Sequence, residues 1–144
     1  MNQFILDASV GAKWVFEESE SEKARNLLKS AVKKEIQIIV PEFFYSEFAS
    51  ICLKKVKRKL ISMEEAIYAL DDIIGLPLTR YSDYELADAA FENAWHYNIS
   101  AYDALYLSLA EIYVAPLITA DETLVKACRG RFDFIESLRD ISLP

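Results

Sequence analysis

Four acidic residues have settings that call for chemistry: Asp7, Glu47, Asp103 and Asp121. Asp103 stands at the front of a strongly apolar helical run within SAYDALYLSLAEIYVAPLITADETL, residues 100–124. Its helical neighbours are Ile99, Tyr106, Leu107 and Ala110, all apolar or aromatic. Asp121 follows the short strand-like piece Leu117-Ile118-Thr119. Asp7 ends the apolar run Phe4-Ile5-Leu6 and opens a helix-like segment. Glu47 has Phe43, Phe44, Ser50 and Ile51 as same-face neighbours, on or beside a buried stripe. A bare carboxylate in such company is costly unless it is paired, hydrogen-bonded or bound to a metal.

Each acid also has a plainer account. Asp7 and Asp121 sit where helices begin, and aspartate is a favoured N-cap. Asp103, in a first turn, gains from the helix dipole. Glu47 suits a partly exposed boundary position. The four together are harder to explain this way. Two of them end strands that should share one edge of a parallel sheet, where open α/β sheets form their sites. Gathered there, four carboxylates repel one another unless a cation holds them. Oxygen-only donors point to Mg²⁺ or Mn²⁺, and water held by such an ion is a nucleophile for phosphodiester hydrolysis.

The elements that must position these acids alternate along the chain. Phe4–Leu6 reads as a strand covered on both faces, because the apolar run lacks alternation. Helix-like segments follow at Val10–Phe16 and Glu20–Lys34, the second with Ala24, Leu27, Leu28, Ala31 and Val32 on one stripe. Ile36–Val40 is the next strand, closed by Pro41, and Glu42–Arg58 a strong helix. Ser62 with Glu65, and Ser82 with Glu85, have the spacing of capping boxes. The helices they start end near Gly75 and Tyr97, with a strand-like Leu76–Thr79 between. The helix of Asp103, a strand at Leu117–Thr119, a helix from Asp121 to Cys128 and a strand at Phe132–Ile135 complete the chain. This order predicts one α/β domain over residues 1–144, with a parallel sheet and right-handed crossovers.

Composition narrows the function classes. The chain of 144 residues is 53% hydrophobic and 27% charged, with a net charge of −7, which disfavours a non-specific nucleic-acid binder. No Gly-rich phosphate loop is present. Cys52 and Cys128 are too few for a disulfide framework and read as core thiols in a reducing compartment. His96, the only histidine, has no serine or cysteine motif beside it. MNQFILDAS lacks the features of a signal peptide. The run Ala104–Ala110 is far shorter than the ~20 residues of a bilayer span. The expectation is a soluble cytoplasmic chain with no membrane partner. The basic run Lys54-Lys55-Val56-Lys57-Arg58-Lys59 reads either as a solvated helix end or as a phosphate-contacting edge. Lys13 and Arg80 are further candidates for phosphate.

The stretches FILDASVGAKW (4–14), VPEFFYSEFAS (40–50), ISAYDALYLSLA (99–110) and PLITADETL (116–124) together resemble the PIN-domain family, most closely its VapC-type toxin ribonucleases. Each piece is weak alone; four in the family's order are specific. The resemblance implies a three-layer α/β/α fold with a central five-stranded parallel sheet. It places an acidic metal site on Asp7, Glu47, Asp103 and Asp121, lined by the polar Ser9 and Thr119. It implies Mg²⁺- or Mn²⁺-dependent cleavage of RNA, a homodimer and a cognate antitoxin. Lys13 matches a basic position common in the toxin group, and Lys54, Lys55, Lys57 and Arg58 fall where phosphate contacts are expected. Part of the aromatic set Trp14, Phe43, Phe44, Tyr45 and Phe48 is the expected dimer surface. Two other readings share the fold: an RNA-maturation nuclease without an antitoxin, and a catalytically silent RNA-binding or interaction module. The four intact acids speak against the second. A haloacid-dehalogenase phosphatase would need Asp-x-Asp after the first strand, and Asp7-Ala8-Ser9 supplies one acid.

Overall fold

The structure is a computed structural model that describes residues 1–142. In chain order the elements are β1 (Asn2–Leu6), α1 (Ala8–Val15), α2 (Ser21–Val32), β2 (Ile36–Pro41), α3 (Phe43–Lys57), α4 (Met63–Ile74) and β3 (Thr79–Tyr81). There follow α5 (Asp83–Tyr97), α6 (Ala101–Tyr113), β4 (Leu117–Thr119), α7 (Glu122–Cys128), β5 (Ile135–Ser137) and a 3₁₀ turn at Leu138–Asp140. The five strands form one sheet in the order β3-β2-β1-β4-β5, and every pairing is parallel. Helices cover both faces, which is why Ile5, Leu6, Ile38, Ile39, Val40, Leu117 and Ile118 are all buried. This is the three-layer α/β/α arrangement expected from the sequence.

The strand order reverses direction at β1. The chain moves outward from β1 to β2 and β3, then returns to place β4 on the other side of β1. Ile5 stands beside Leu117 and Leu6 beside Ile118. The residues just past β1 and β4 therefore meet, at the kind of switch point where open α/β sheets bind ligands.

Two strands are displaced from their expected spans. Leu76–Thr79 was the expected third strand, but pairing begins at Thr79 and runs to Tyr81. Pro77 has no N–H for a ladder, and Leu76 and Leu78 pack on the core from the loop. Phe132–Ile135 was the expected last strand, but β5 starts at Ile135. Phe132 packs edge-on to Tyr97 and Phe134, so its apolar character reports loop packing rather than strand pairing.

The two expected capping boxes differ. Ser62 and Glu65 exchange both bonds, at 3.0 and 3.2 Å. Ser82 occupies the N-cap position of α5, but its side chain makes no cap bond. Instead α3 and α5 cap each other: Glu42 Oε1 accepts from Asp83 N at 3.3 Å, and Asp83 Oδ1 accepts from Phe43 N at 3.2 Å. The two helices follow the paired strands β2 and β3, so their first turns lie side by side and share donors.

The expected aromatic dimer surface is mostly interior. Trp14, Phe44 and Phe48 are buried, and Phe43 and Tyr45 are partly so. Large exposed apolar side chains lie elsewhere, on α4 (Met63, Ile67, Tyr68, Ile74) and on α5 (Tyr84, Phe91, Trp95). Cys52 and Cys128 are buried free thiols. Among the described residues, no helix is long and apolar enough to cross a membrane.

Candidate active site

Asp7 directly follows β1 and is only 5% exposed. It does cap α1, through a 3.4 Å bond from Val10 N to Oδ1. Two hydroxyls then donate to its carboxylate, one to each oxygen. Ser9 donates to Oδ1 and Thr119 donates to Oδ2, both at 2.5 Å. Each hydroxyl has one proton, so each is left to accept. Ser9 Oγ accepts from Ala120 N at 3.0 Å, and Thr119 Oγ1 accepts from Asp121 N at 3.0 Å. The chain beyond β4 is thereby stitched to the end of β1 through two side chains. Burial pushes the Asp7 carboxyl up to about 7, against the lowering pull of the Ser9 and Thr119 hydroxyls, with the Glu47 charge adding to the rise.

Glu47 lies in the second turn of α3, half-buried. Its Oε1 accepts from Ala8 N at 3.2 Å and from the Tyr106 hydroxyl at 2.7 Å. Burial raises its carboxyl, and the charges of Asp103 and Asp121 raise it further, against those two donors. Asp103 sits in the first turn of α6, where the Ser100 hydroxyl caps the helix by accepting from Asp103 N at 3.0 Å. Burial raises Asp103 too, followed by the charge of Asp121. Asp121 is exposed and caps α7: its Oδ1 accepts from Thr123 N at 3.0 Å and Leu124 N at 3.3 Å.

The fold thus brings all four acids to one end of the sheet, close enough for their charges to act on one another. Among the described residues no Lys or Arg forms an ion pair with any of them. They do not converge into a ready-made cage: no three His, Cys, Asp or Glu side chains among the described residues stand close enough to hold a bare ion. The donor set fits a hydrated hard cation of the Mg²⁺ kind, which keeps several waters and takes only one or two carboxylates directly.

Among the described residues the basic candidates form no ion pair with this cluster. Lys13 is buried, with Nζ donating to the Ser19 carbonyl at 2.7 Å and 3.5 Å from Glu18. It shares a hollow of about 190 Å³ with Ala120, Glu122 and Arg139, beside the Ser9–Ala120 hydrogen bond. Lys55 pairs with Glu18 at 3.0 Å and lies over the Phe16 ring. Lys54, Lys57 and Arg58 are exposed at the end of α3, roughly 10–16 Å along the helix axis from Glu47. Arg80 is exposed on the edge strand β3, and His96 is exposed on α5. Sequence reasoning missed one residue of the site, Tyr106. It is fully buried, and it counted only as an apolar neighbour of Asp103. Its spacing was the available signal, since position 106 is one turn past 103 on the same helix face.

The profile of the PIN domain family matches residues 4–130, a span that holds all four acids. VapC ribonuclease Mb0985 of Mycobacterium bovis is 31% identical over 119 residues, covering 81% of this chain and 84% of that protein. Ribonuclease VapC1 of Mycobacterium tuberculosis is 31% identical over 105 residues, covering 72% of this chain and 73% of that protein. Among solved structures, PAE2754 from Pyrobaculum aerophilum has a TM-score of 0.70 at 17% identity, over 96% of this chain and 85% of that one. VapBC2 from Rickettsia felis, bound to a DNA fragment from its promoter, has a TM-score of 0.66 at 15% identity, over 94% of this chain and 98% of that one. At these identities the two structures speak to the fold alone. Profile, relatives and fold agree, and the chain belongs to the PIN-domain family.

Proposed function

We propose that this chain is a divalent-metal-dependent endoribonuclease and the toxin of a type II toxin–antitoxin pair. Family membership and the likeness to VapC ribonucleases support RNA as the substrate. The observation that carries the chemistry is a four-carboxylate cluster at the sheet's switch point with which no lysine or arginine among the described residues forms an ion pair. In this reading Asp7, Glu47, Asp103 and Asp121 hold Mg²⁺ or Mn²⁺. When bound, the cation supplies a water of lowered pKa and positive charge against the reacting phosphate.

The chain's own residues do the positioning. Ser9 and Thr119 hold both oxygens of Asp7, and Thr119 also holds the backbone of Asp121, so the two acids move as one piece. Glu47 or Asp103, whose carboxyls burial raises, serves as the group that accepts a proton from the attacking water. The exposed Asp121 leaves the edge open to a polymer. Among the described residues Lys54, Lys57 and Arg58 form no ion pair and are exposed to meet phosphate, whereas Lys13 and Lys55 must first exchange Glu18 for it.

The test is cleavage of RNA by the purified chain with Mg²⁺ or Mn²⁺. EDTA is expected to stop it, and Asp7→Asn and Asp103→Asn to lower it by at least about a hundredfold. Cleavage at the parental rate by both variants would sink the carboxylate site. Calorimetric titration with Mn²⁺ is expected to show weaker binding after Asp121→Ala, and equal binding would remove the metal role from that residue. Two partners belong to the proposal, a second copy of the chain and a small antitoxin. The exposed apolar side chains of α4 and α5 support it as surface without a partner in the monomer.

A further inference from the structure

Tyr106 carries a polar group beside the acids that neither metal binding nor helix capping accounts for. Its ring is fully buried, with Phe43 edge-on at 6.4 Å between centroids, and phenylalanine would fill the same space. Its hydroxyl donates to Glu47 Oε1 at 2.7 Å, and the Ala8 N–H lies against the same pair. A tyrosine hydroxyl keeps its proton at neutral pH and donates it to a carboxylate. Ala8 N donates to the same oxygen at 3.2 Å. Among the described residues no hydrogen bond falls on Oε2. One bond would let the carboxylate swing about that contact. Two donors on one oxygen, carried by separate helices, restrict that swing, and they leave the other oxygen for a ligand.

The two donors come from the elements that carry the other acids. Ala8 is the residue after Asp7, at the start of α1. Tyr106 is one turn past Asp103 on α6. Glu47, on α3, is thus referenced to both.

We infer that Tyr106 is a positioning residue of this site: with the Ala8 N–H, its hydroxyl ties down one oxygen of Glu47 and reserves the other for the cation. The inference rests on the carboxylate-site reading above. Groups that orient metal-binding side chains commonly account for ten- to a hundredfold in affinity or activity.

The experiment is a double-mutant cycle on Mn²⁺ affinity, measured by calorimetry with the parent chain, Tyr106→Phe, Glu47→Gln and the double variant. Tyr106→Phe is expected to weaken Mn²⁺ binding about tenfold or more and to lower kcat with little change in KM for RNA. In the Glu47→Gln background it is expected to cost nothing further. Parental affinity in Tyr106→Phe, or the same loss in both backgrounds, overturns the inference. A second readout needs no metal. The ¹³C resonance of the Glu47 carboxyl is expected to move on Tyr106→Phe in the metal-free protein, and an unmoved resonance overturns it too. Asp7→Asn separates the two levels of the argument. If it abolishes Mn²⁺ binding while Tyr106→Phe does nothing, the site stands and the role of Tyr106 falls. If Asp7→Asn and Glu47→Gln both bind as the parent does, the site itself falls, and Tyr106 with it.

Discussion

At the residue scale Asp7 is both a helix cap and the most deeply buried member of the acid cluster. Aspartate N-caps are ordinary and stay ionised at the surface. Here burial raises the carboxyl from 3.8 to about 7. Between those values the folded chain holds a proton that the unfolded chain releases. Stability of the metal-free protein is therefore expected to fall as pH rises from about 4 to about 7, then to level off. Glu47 and Asp103 shift in the same direction and add to the fall. Urea midpoints measured across that window check this, and Asp7→Asn should flatten much of the slope. A slope of opposite sign would show that Asp7 is not held in its protonated form. Saturating Mn²⁺ favours the ionised carboxylates and should also reduce the slope.

At the element scale the site depends on how closely α1 meets α3, since Ala8 and Glu47 bond across that contact. Gly11 permits the approach. A Cβ there would stand 2.8 Å from the Phe44 ring, which is fully buried. Gly11→Ala gains about 1 kcal/mol of helix propensity but overpacks the contact by about 1–3 kcal/mol. The expected net result is destabilisation in urea, partly relieved by adding Phe44→Leu; a Gly11→Ala chain more stable than the parent would refute it. The two serine caps make a second pair of predictions. Ser62→Ala should cost about 1 kcal/mol, because both bonds of its capping box are made. Ser82→Ala should stay within about 0.5 kcal/mol, because α5 is capped by Glu42 instead.

At the scale of the whole molecule the exposed apolar surface and the acid cluster are separate features. Tyr84 is 90% exposed, Phe91 74% and Trp95 87%, and their spacing puts them on one face of α5. That much exposed aromatic surface on one helix marks an interaction face more often than not. For the proposed homodimer, sedimentation should give twice the monomer mass of 16.5 kDa, and Trp95→Glu should shift the chain toward monomer. A parent that sediments as a monomer removes the homodimer, and a dimer indifferent to Trp95→Glu moves the interface off α5. RNA cleavage chemistry should survive in the Trp95→Glu chain insofar as each chain holds its own four acids.

Much of this protein was legible in the residue pattern. The unbroken apolar run at 4–6 is what a strand covered on both faces requires, and the alternation of strands and helices along the chain predicted the parallel sheet. Helix periodicity and caps located the helices to within a few residues, because both signals are local. The four acids stood out because carboxylates beside hydrocarbon are costly. Local signals failed where a contact came from far along the chain. Ser82 had the spacing of a cap and lost it to Glu42, and Phe132 and Phe134 carried a strand's character into a packed loop. Tyr106 read as core until the fold set its hydroxyl against an acid 59 residues away. The last of these decisions is the return of β4 to the side of β1. It sets Thr119 against Asp7, 112 residues apart, and no spacing within either segment specifies it. Only the packed sheet, closing two apolar strands against each other, brings those hydroxyls and carboxylates to one edge.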